Sequence, residues 1–138
     1  MTLFEPIPQV AILGARGIGQ VHARLFQKSG ANVCAILGST MRTARQAAEG
    51  LHQSFGISPK PFDNLEKLIQ EAQPDALSIC TPAEYHFDQV LTAFEQGVPV
   101  FCEKPLFWEN DLSPESLDIK LTLLGEHKKR CISVNTCN

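Results

Sequence analysis

At 138 residues the chain has the length of one domain, long enough to bury a single core without disulfide or metal staples. Hydrophobic residues at 43% and charged residues at 20% exclude intrinsic disorder and a fibrous repeat. A net charge of −3, with no basic cluster larger than Lys128-Lys129-Arg130, leaves no whole-molecule attraction to nucleic acid or an anionic membrane, so neither is expected as a partner.

The five cysteines (Cys34, Cys80, Cys102, Cys131, Cys137) form no Cys-x-x-Cys pair, and no histidine completes a zinc set; neither a metal site nor a disulfide framework is expected. There is no signal-peptide pattern, and no uncharged apolar run approaches the roughly 18 residues that cross a bilayer. Together with the free thiols, this gives a cytoplasmic expectation.

In chain order, Gln9 to Leu13 reads as a buried strand, Gly19 to Ser29 as a helix and Asn32 to Leu37 as a second strand. Met41 to Ser54 is helical, with Ala44, Ala47, Ala48 and Leu51 on one face. Pro61 and Phe62 mark a short third strand, which proline restricts to an edge. Asn64 caps a helix through Glu71, and Ala76 to Cys80 is a fourth strand. Glu84 to Gln96 is a helix closed by Gly97, and Pro99 to Cys102 a fifth strand. Ser113 and Pro114 open a helix to about Arg130 that leads into a sixth strand, Cys131 to Val134. Short apolar strands alternating with helices predict an α/β fold, a doubly wound parallel (Rossmann) sheet of about six strands with helices on both faces.

Gly14-Ala15-Arg16-Gly17-Ile18-Gly19 follows the first strand and opens the first helix. It is a G-x-x-G-x-G variant of the dinucleotide fingerprint, with the same physical need: a tight turn, no Cβ where a pyrophosphate meets backbone N–H groups, and a helix N-terminus aimed at the anion. About 20 residues beyond the glycines, NAD users place an acid on the ribose. Here the stretch is Gly38-Ser39-Thr40-Met41-Arg42, without a carboxylate to repel a 2′ phosphate. Ser39, Thr40, and Arg42 or Arg16 offer the donors a phosphate prefers, which favours NADP over NAD. Ser39 and Thr40 also suit a helix cap, a role compatible with binding.

Thr81-Pro82 and His86 follow the fourth strand, and Glu103-Lys104-Pro105 follows the fifth. Both lie at carboxyl ends of parallel strands, where open α/β sheets bind ligands. Adjacent Lys and Glu there can orient and protonate a substrate oxygen; spacing alone equally fits a surface ion pair beside a turn. His22, in the first cofactor helix, is expected to pack or cap there.

Gly14 to Arg24, Asp75 to Pro82 with His86, and Gly97 to Pro105 together resemble the glucose-fructose oxidoreductase and inositol 2-dehydrogenase (Gfo/Idh/MocA) family over nearly the whole chain. The resemblance implies an NAD(P)-dependent oxidoreductase acting on a sugar, polyol or related CH–OH/carbonyl substrate. It implies that Lys104 is catalytic, contacting the reacting oxygen. Glu103 and His86 would line the nicotinamide end, Thr81 and Pro82 pass beside the cofactor, and Asn135 lie near the nicotinamide. The resemblance further implies that residues 1–138 are the cofactor-binding domain and that a C-terminal substrate and oligomerisation domain, with the family's catalytic His, is absent from this chain. The 138 residues alone are therefore expected to bind dinucleotide but turn over poorly, and the intact protein to form a possible homo-oligomer. The rival readings are a non-catalytic dinucleotide-sensing regulator, which has no need of Lys104, and a single-domain CoA-binding protein, which has no reason to place Glu-Lys-Pro after the fifth strand.

Overall fold

Strands that are apolar on both faces have to be covered on both faces, and a computed structural model describing residues 5–127 and 132–134 places them in one parallel sheet between two helical layers. The elements are β1 (Gln9–Leu13), α1 (Ile18–Lys28), β2 (Asn32–Leu37), α2 (Met41–Phe55), β3 (Lys60–Phe62), α3 (Leu65–Ala72), β4 (Ala76–Ile79), a single 3-10 turn (Ala83–Tyr85), α4 (His86–Glu95), β5 (Val100–Cys102), α5 (Pro114–Gly125) and β6 (Ile132–Val134). The six strands lie in the order β3-β2-β1-β4-β5-β6. The chain starts at the centre, winds outward to β3, then crosses back to β4 and winds the other way. The reversal between β1 and β4 opens a crevice beyond the strand ends, the position where such sheets hold ligands.

Alternation along each strand sorts the core into two halves. Val10, Ile12, Val33 and Ile36 face α1 and α2, packing with Ala23 and Leu51. Ala11, Leu13, Leu77, Ile79, Val100 and Cys102 face the other layer, with Leu68 and Ile69 of α3, Val90 and Phe94 of α4 and Leu124 of α5. Each fully buried Leu or Ile contributes about 1.5–3 kcal/mol relative to exposure. The β1–β2 register skips one residue, Val10 pairing with Val33 but Ala11 with Ala35. Cys34 is the extra residue of this bulge, and its thiol donates to the Val10 carbonyl at 3.5 Å.

Local chemistry sets the helix ends. Thr40, Asn64 and Ser113 each accept a backbone N–H from the third helical residue, at 3.1, 2.9 and 3.0 Å. Pro61 sits in the edge strand β3, as its missing N–H requires. Several boundaries shift from expectation. α1 begins at Ile18, immediately after the left-handed Gly17; the segment from Glu84 starts as 3-10 and becomes α-helical only at His86; and α5 ends at Gly125. Residues 128–131 and 135–138, which include the basic cluster, Cys131, Asn135 and Cys137, lie outside the described residues. Among the described residues, no helix is long and apolar enough to cross a membrane, and no group of three or more His, Cys, Asp or Glu is placed to hold a metal ion.

Candidate functional site

The turn from β1 into α1 has a shape only glycine allows. Gly14 has φ 80° and Gly17 φ 56°, both left-handed, and a Cβ on Gly19 would lie 2.0 Å from the Gly14 carbonyl oxygen. Helix and strand end therefore touch backbone to backbone. Around Gly17 nothing lies within 4 Å of a Cβ position, so the crest of the turn is open. Among the described residues, no acceptor meets the backbone N–H groups of Arg16, Gly17 and Ile18, no side chain caps α1, and no acid lies in its first turn. Unpaired donors, an open crest and a positive helix end fit the pyrophosphate of a dinucleotide.

The turn is in contact with the end of β4. A Cβ on Gly14 would stand 3.0 Å from both the backbone nitrogen and the methyl of Thr81, and one on Gly19 would stand 3.5 Å from Cys80. Thr81 itself donates its hydroxyl to the Gln89 side-chain carbonyl, tying this corner to α4. On the other side, the Gly14 N–H donates to the Leu37 carbonyl at 3.0 Å, which brings the end of β2 alongside. There Thr40 and Thr43 exchange backbone and hydroxyl bonds in a capping box. The Thr40 hydroxyl accepts from Thr43 N–H and donates to the Thr43 hydroxyl, so the cap occupies a group expected to serve a phosphate. Ser39 is exposed, its hydroxyl only loosely paired to Thr43 at 3.4 Å. Arg42 and Arg16 are exposed and, among the described residues, form no ion pair.

At the end of β5, Glu103 donates its backbone N–H to the Ile79 carbonyl at 2.9 Å, continuing the sheet one residue past the strand. Lys104 is exposed, joined to Pro105 by a cis peptide, and no hydrogen bond or ion pair engages its amine among the described residues.

His86 departs from expectation. Rather than lining an open site it is 1% exposed, with Nε2 2.7 Å from the Thr81 carbonyl and Nδ1 2.8 Å from the Pro105 carbonyl. Carbonyls only accept, so a ring N–H donates to them, and the Cys102 sulfur lies 3.4 Å from Nδ1 as a further partner on that side. The imidazole has no edge left for a ligand and works as a clamp between the loops after β4 and β5.

His22 likewise does more than pack its own helix. It is 6% exposed, its Nε2 donates to the Glu103 carboxylate at 2.6 Å, and its Nδ1 lies 2.7 Å from the Ser78 hydroxyl and 3.2 Å from the Cys80 sulfur. Two signals pointed there. Ser78 is a lone hydroxyl inside an apolar strand, and His22 adjoins Ala23 on the face of α1 turned to the sheet; buried polar groups need partners. Which partners they find depends on strand order.

Residues 9–136 match the Gfo/Idh/MocA oxidoreductase family, NAD-binding Rossmann fold. Inositol 2-dehydrogenase from Paracoccus denitrificans is 33% identical over 100 residues, covering 71% of this chain and 29% of that protein. D-glucoside 3-dehydrogenase from Escherichia coli is 30% identical over 99 residues, 70% of this chain and 27% of that protein. Among solved structures, scyllo-inositol dehydrogenase from Lactobacillus casei, with bound NAD(H) and scyllo-inositol, has the same fold with a TM-score of 0.74 at 19% identity, over 94% of this chain and 36% of that one. The chain thus spans 27–36% of the length of these three relatives.

Proposed function

The chain belongs to the Gfo/Idh/MocA family of NAD-binding oxidoreductases, and from that premise we propose that it is the dinucleotide-binding unit of a dehydrogenase acting on a sugar, polyol or related CH–OH/carbonyl substrate. The observation that carries this reading is an exposed Lys104, unengaged among the described residues, at the end of β5 in the same sheet whose β1–α1 turn presents unpaired N–H donors. The names of the relatives, inositol 2-dehydrogenase and D-glucoside 3-dehydrogenase, support a polyhydroxylated substrate.

The Gly14–Gly19 turn holds the pyrophosphate through backbone N–H groups and the end of α1. Thr81 and Pro82 wall the cofactor beside β4. When bound, the dinucleotide supplies the hydride chemistry at its nicotinamide. Lys104 sets its Nζ against the substrate oxygen, donating to it as the ammonium and accepting the hydroxyl proton as the neutral amine. His86 holds the backbone on which Lys104 is mounted and does not touch the ligand. Asn135, outside the described residues, is assigned to the nicotinamide end by resemblance. In the whole enzyme we assign the substrate walls to a further domain.

For the cofactor we favour NADP over NAD. No acid stands at residues 38–42 or in the first turn of α2, Ser39 and Arg42 are exposed after β2 and Arg16 is exposed in the β1–α1 turn, whereas Thr40 is engaged as a cap. Calorimetric titration with NADPH, NADH and CoA tests both points. We expect both dinucleotides to bind, NADPH more tightly, and Arg42→Ala to weaken NADPH about tenfold while leaving NADH unchanged, the size of one charge-assisted hydrogen bond. Lys104→Ala should retain dinucleotide binding and abolish polyol oxidation in the full-length enzyme. Binding of CoA alone would overturn the reading.

A further inference from the structure

Lys104 has no side-chain partner of its own among the described residues, so its aim is set by the residues on either side of it. On the far side, the Pro105 carbonyl is held by His86. On the near side the Glu103 side chain, only 14% exposed, runs back under α1 to His22 at 2.6 Å. We propose that His22 is a positioning residue for Lys104, acting through the Glu103 carboxylate. The inference rests on the reading of Lys104 given above.

The argument is one of connectivity. His22 stands three residues after Gly19, on the helix that opens at the dinucleotide turn. A bond from that helix to the residue before Lys104 ties the turn that carries the cofactor to the loop that carries the proton-handling amine. The other links described between the two run through the strands β1, β4 and β5 and through Thr81, which packs on Gly14 and is bonded by His86, so this bond is the one that reaches the residue before Lys104 directly from α1.

The bond is built to persist. A carboxylate accepts only, so the Nε2 hydrogen is committed to Glu103, while Nδ1 meets the Ser78 hydroxyl, which can donate or accept, at 2.7 Å, with the Cys80 thiol at 3.2 Å beside it. Ser78 is 0% exposed, and the His22 ring lies 5.4 Å from the Phe101 ring, so ring rotation has neither water nor space to replace these contacts. Losing the donor would leave a largely buried carboxylate short of one partner, which costs more than an ordinary hydrogen bond.

The test compares wild type, His22→Leu and His22→Gln in the full chain without ligand, following amide hydrogen exchange by NMR. The Glu103 N–H, which donates to Ile79, reports the near side of the Lys104 loop, and the Leu77 N–H, which donates to Pro99, reports the sheet. His22→Leu should speed exchange at Glu103 about tenfold relative to Leu77, the loss of one charge-assisted bond. His22→Gln, whose amide can donate to Glu103 while its carbonyl accepts from Ser78, should return to within about threefold of wild type.

In the full-length enzyme His22→Leu should lower kcat about tenfold with KM for dinucleotide held, since the turn is untouched. Equal acceleration at Glu103 and Leu77, or no rescue by glutamine, would reduce His22 to a stability residue and overturn the proposal. If His22→Leu fails to fold, Glu103→Ala, which removes the acceptor of the same bond, should still speed exchange of the residue-103 N–H relative to Leu77, and wild-type exchange in that variant would overturn it. Absence of NADH and NADPH binding by the wild type would refute the dinucleotide reading while leaving the exchange result to judge the His22 tether.

Discussion

Cys80 and Cys102 stand at the ends of β4 and β5 beside the two buried histidines, and burial pushes both thiols from the ordinary 9.0 up to about 12. For Cys80 the Glu103 charge adds to burial while the Ser78 hydrogen bond opposes it; for Cys102 the neighbours Cys80 and Glu103 add to it. The folded state therefore prefers the neutral thiols. Their contribution to stability is fully present below the unfolded value near 9.0 and is lost as pH rises toward about 12. We expect the thermal midpoint to fall across that window and the fall to flatten in Cys80→Ala/Cys102→Ala; an identical slope would refute the assignment. At neutral pH neither thiol should react with iodoacetamide at the rate of an exposed cysteine, because the thiolate is the nucleophile. Burial also governs His86. A histidine near a ligand-binding strand end reads the same in sequence whether its ring faces the crevice or two carbonyls, and packing alone turned it inward.

Among the elements, the β2–α2 corner shows one residue holding a helix start beside the expected cofactor site. Thr40 completes a reciprocal cap with Thr43, and Gly38 lets the strand end pass close beneath the helix, since a Cβ there would lie 2.5 Å from the Ala44 nitrogen. Thr40→Ala should lower stability to urea by about 1 kcal/mol, the value of an N-cap, with NADPH affinity held. A large loss of NADPH binding at unchanged stability would return Thr40 to the cofactor. Caps, the edge proline and the glycine turn were legible from sequence because they depend on residues within four positions of one another. The bulge at Cys34 and the 3-10 start at Ala83 were not, because each adjusts an element to its neighbour in the sheet or to the loop packed on it.

For the whole molecule, the reversal of strand order gathers three separate crossovers around one crevice: the β1–α1 turn, the corner after β4 and the loop after β5. None of these segments is a site alone, so ligand affinity belongs to the folded chain and unfolding abolishes it. Saturating NADPH should therefore stabilise the folded chain by mass action, by about 2.7 kcal/mol at a hundredfold excess over Kd, and raise the thermal midpoint with it. Gly19→Ala, which forces a Cβ into the Gly14 carbonyl, should remove that increment along with some of the basal stability. A midpoint indifferent to NADPH in the wild type would contradict a site at the switch point.

The amino-acid sequence by itself determined the α/β class, the order of elements, the capped helix starts and the glycine turn, because periodicity and local hydrogen bonding decide them before the chain is compact. It also marked Lys104 and its neighbours by their place after a strand. Only the tertiary structure decided that His22 bonds Glu103 across 81 positions and Ser78 across 56, and that His86 closes on Thr81 and Pro105. Strand order chooses partners that far apart, and a buried polar group takes whichever acceptor or donor the sheet brings to it.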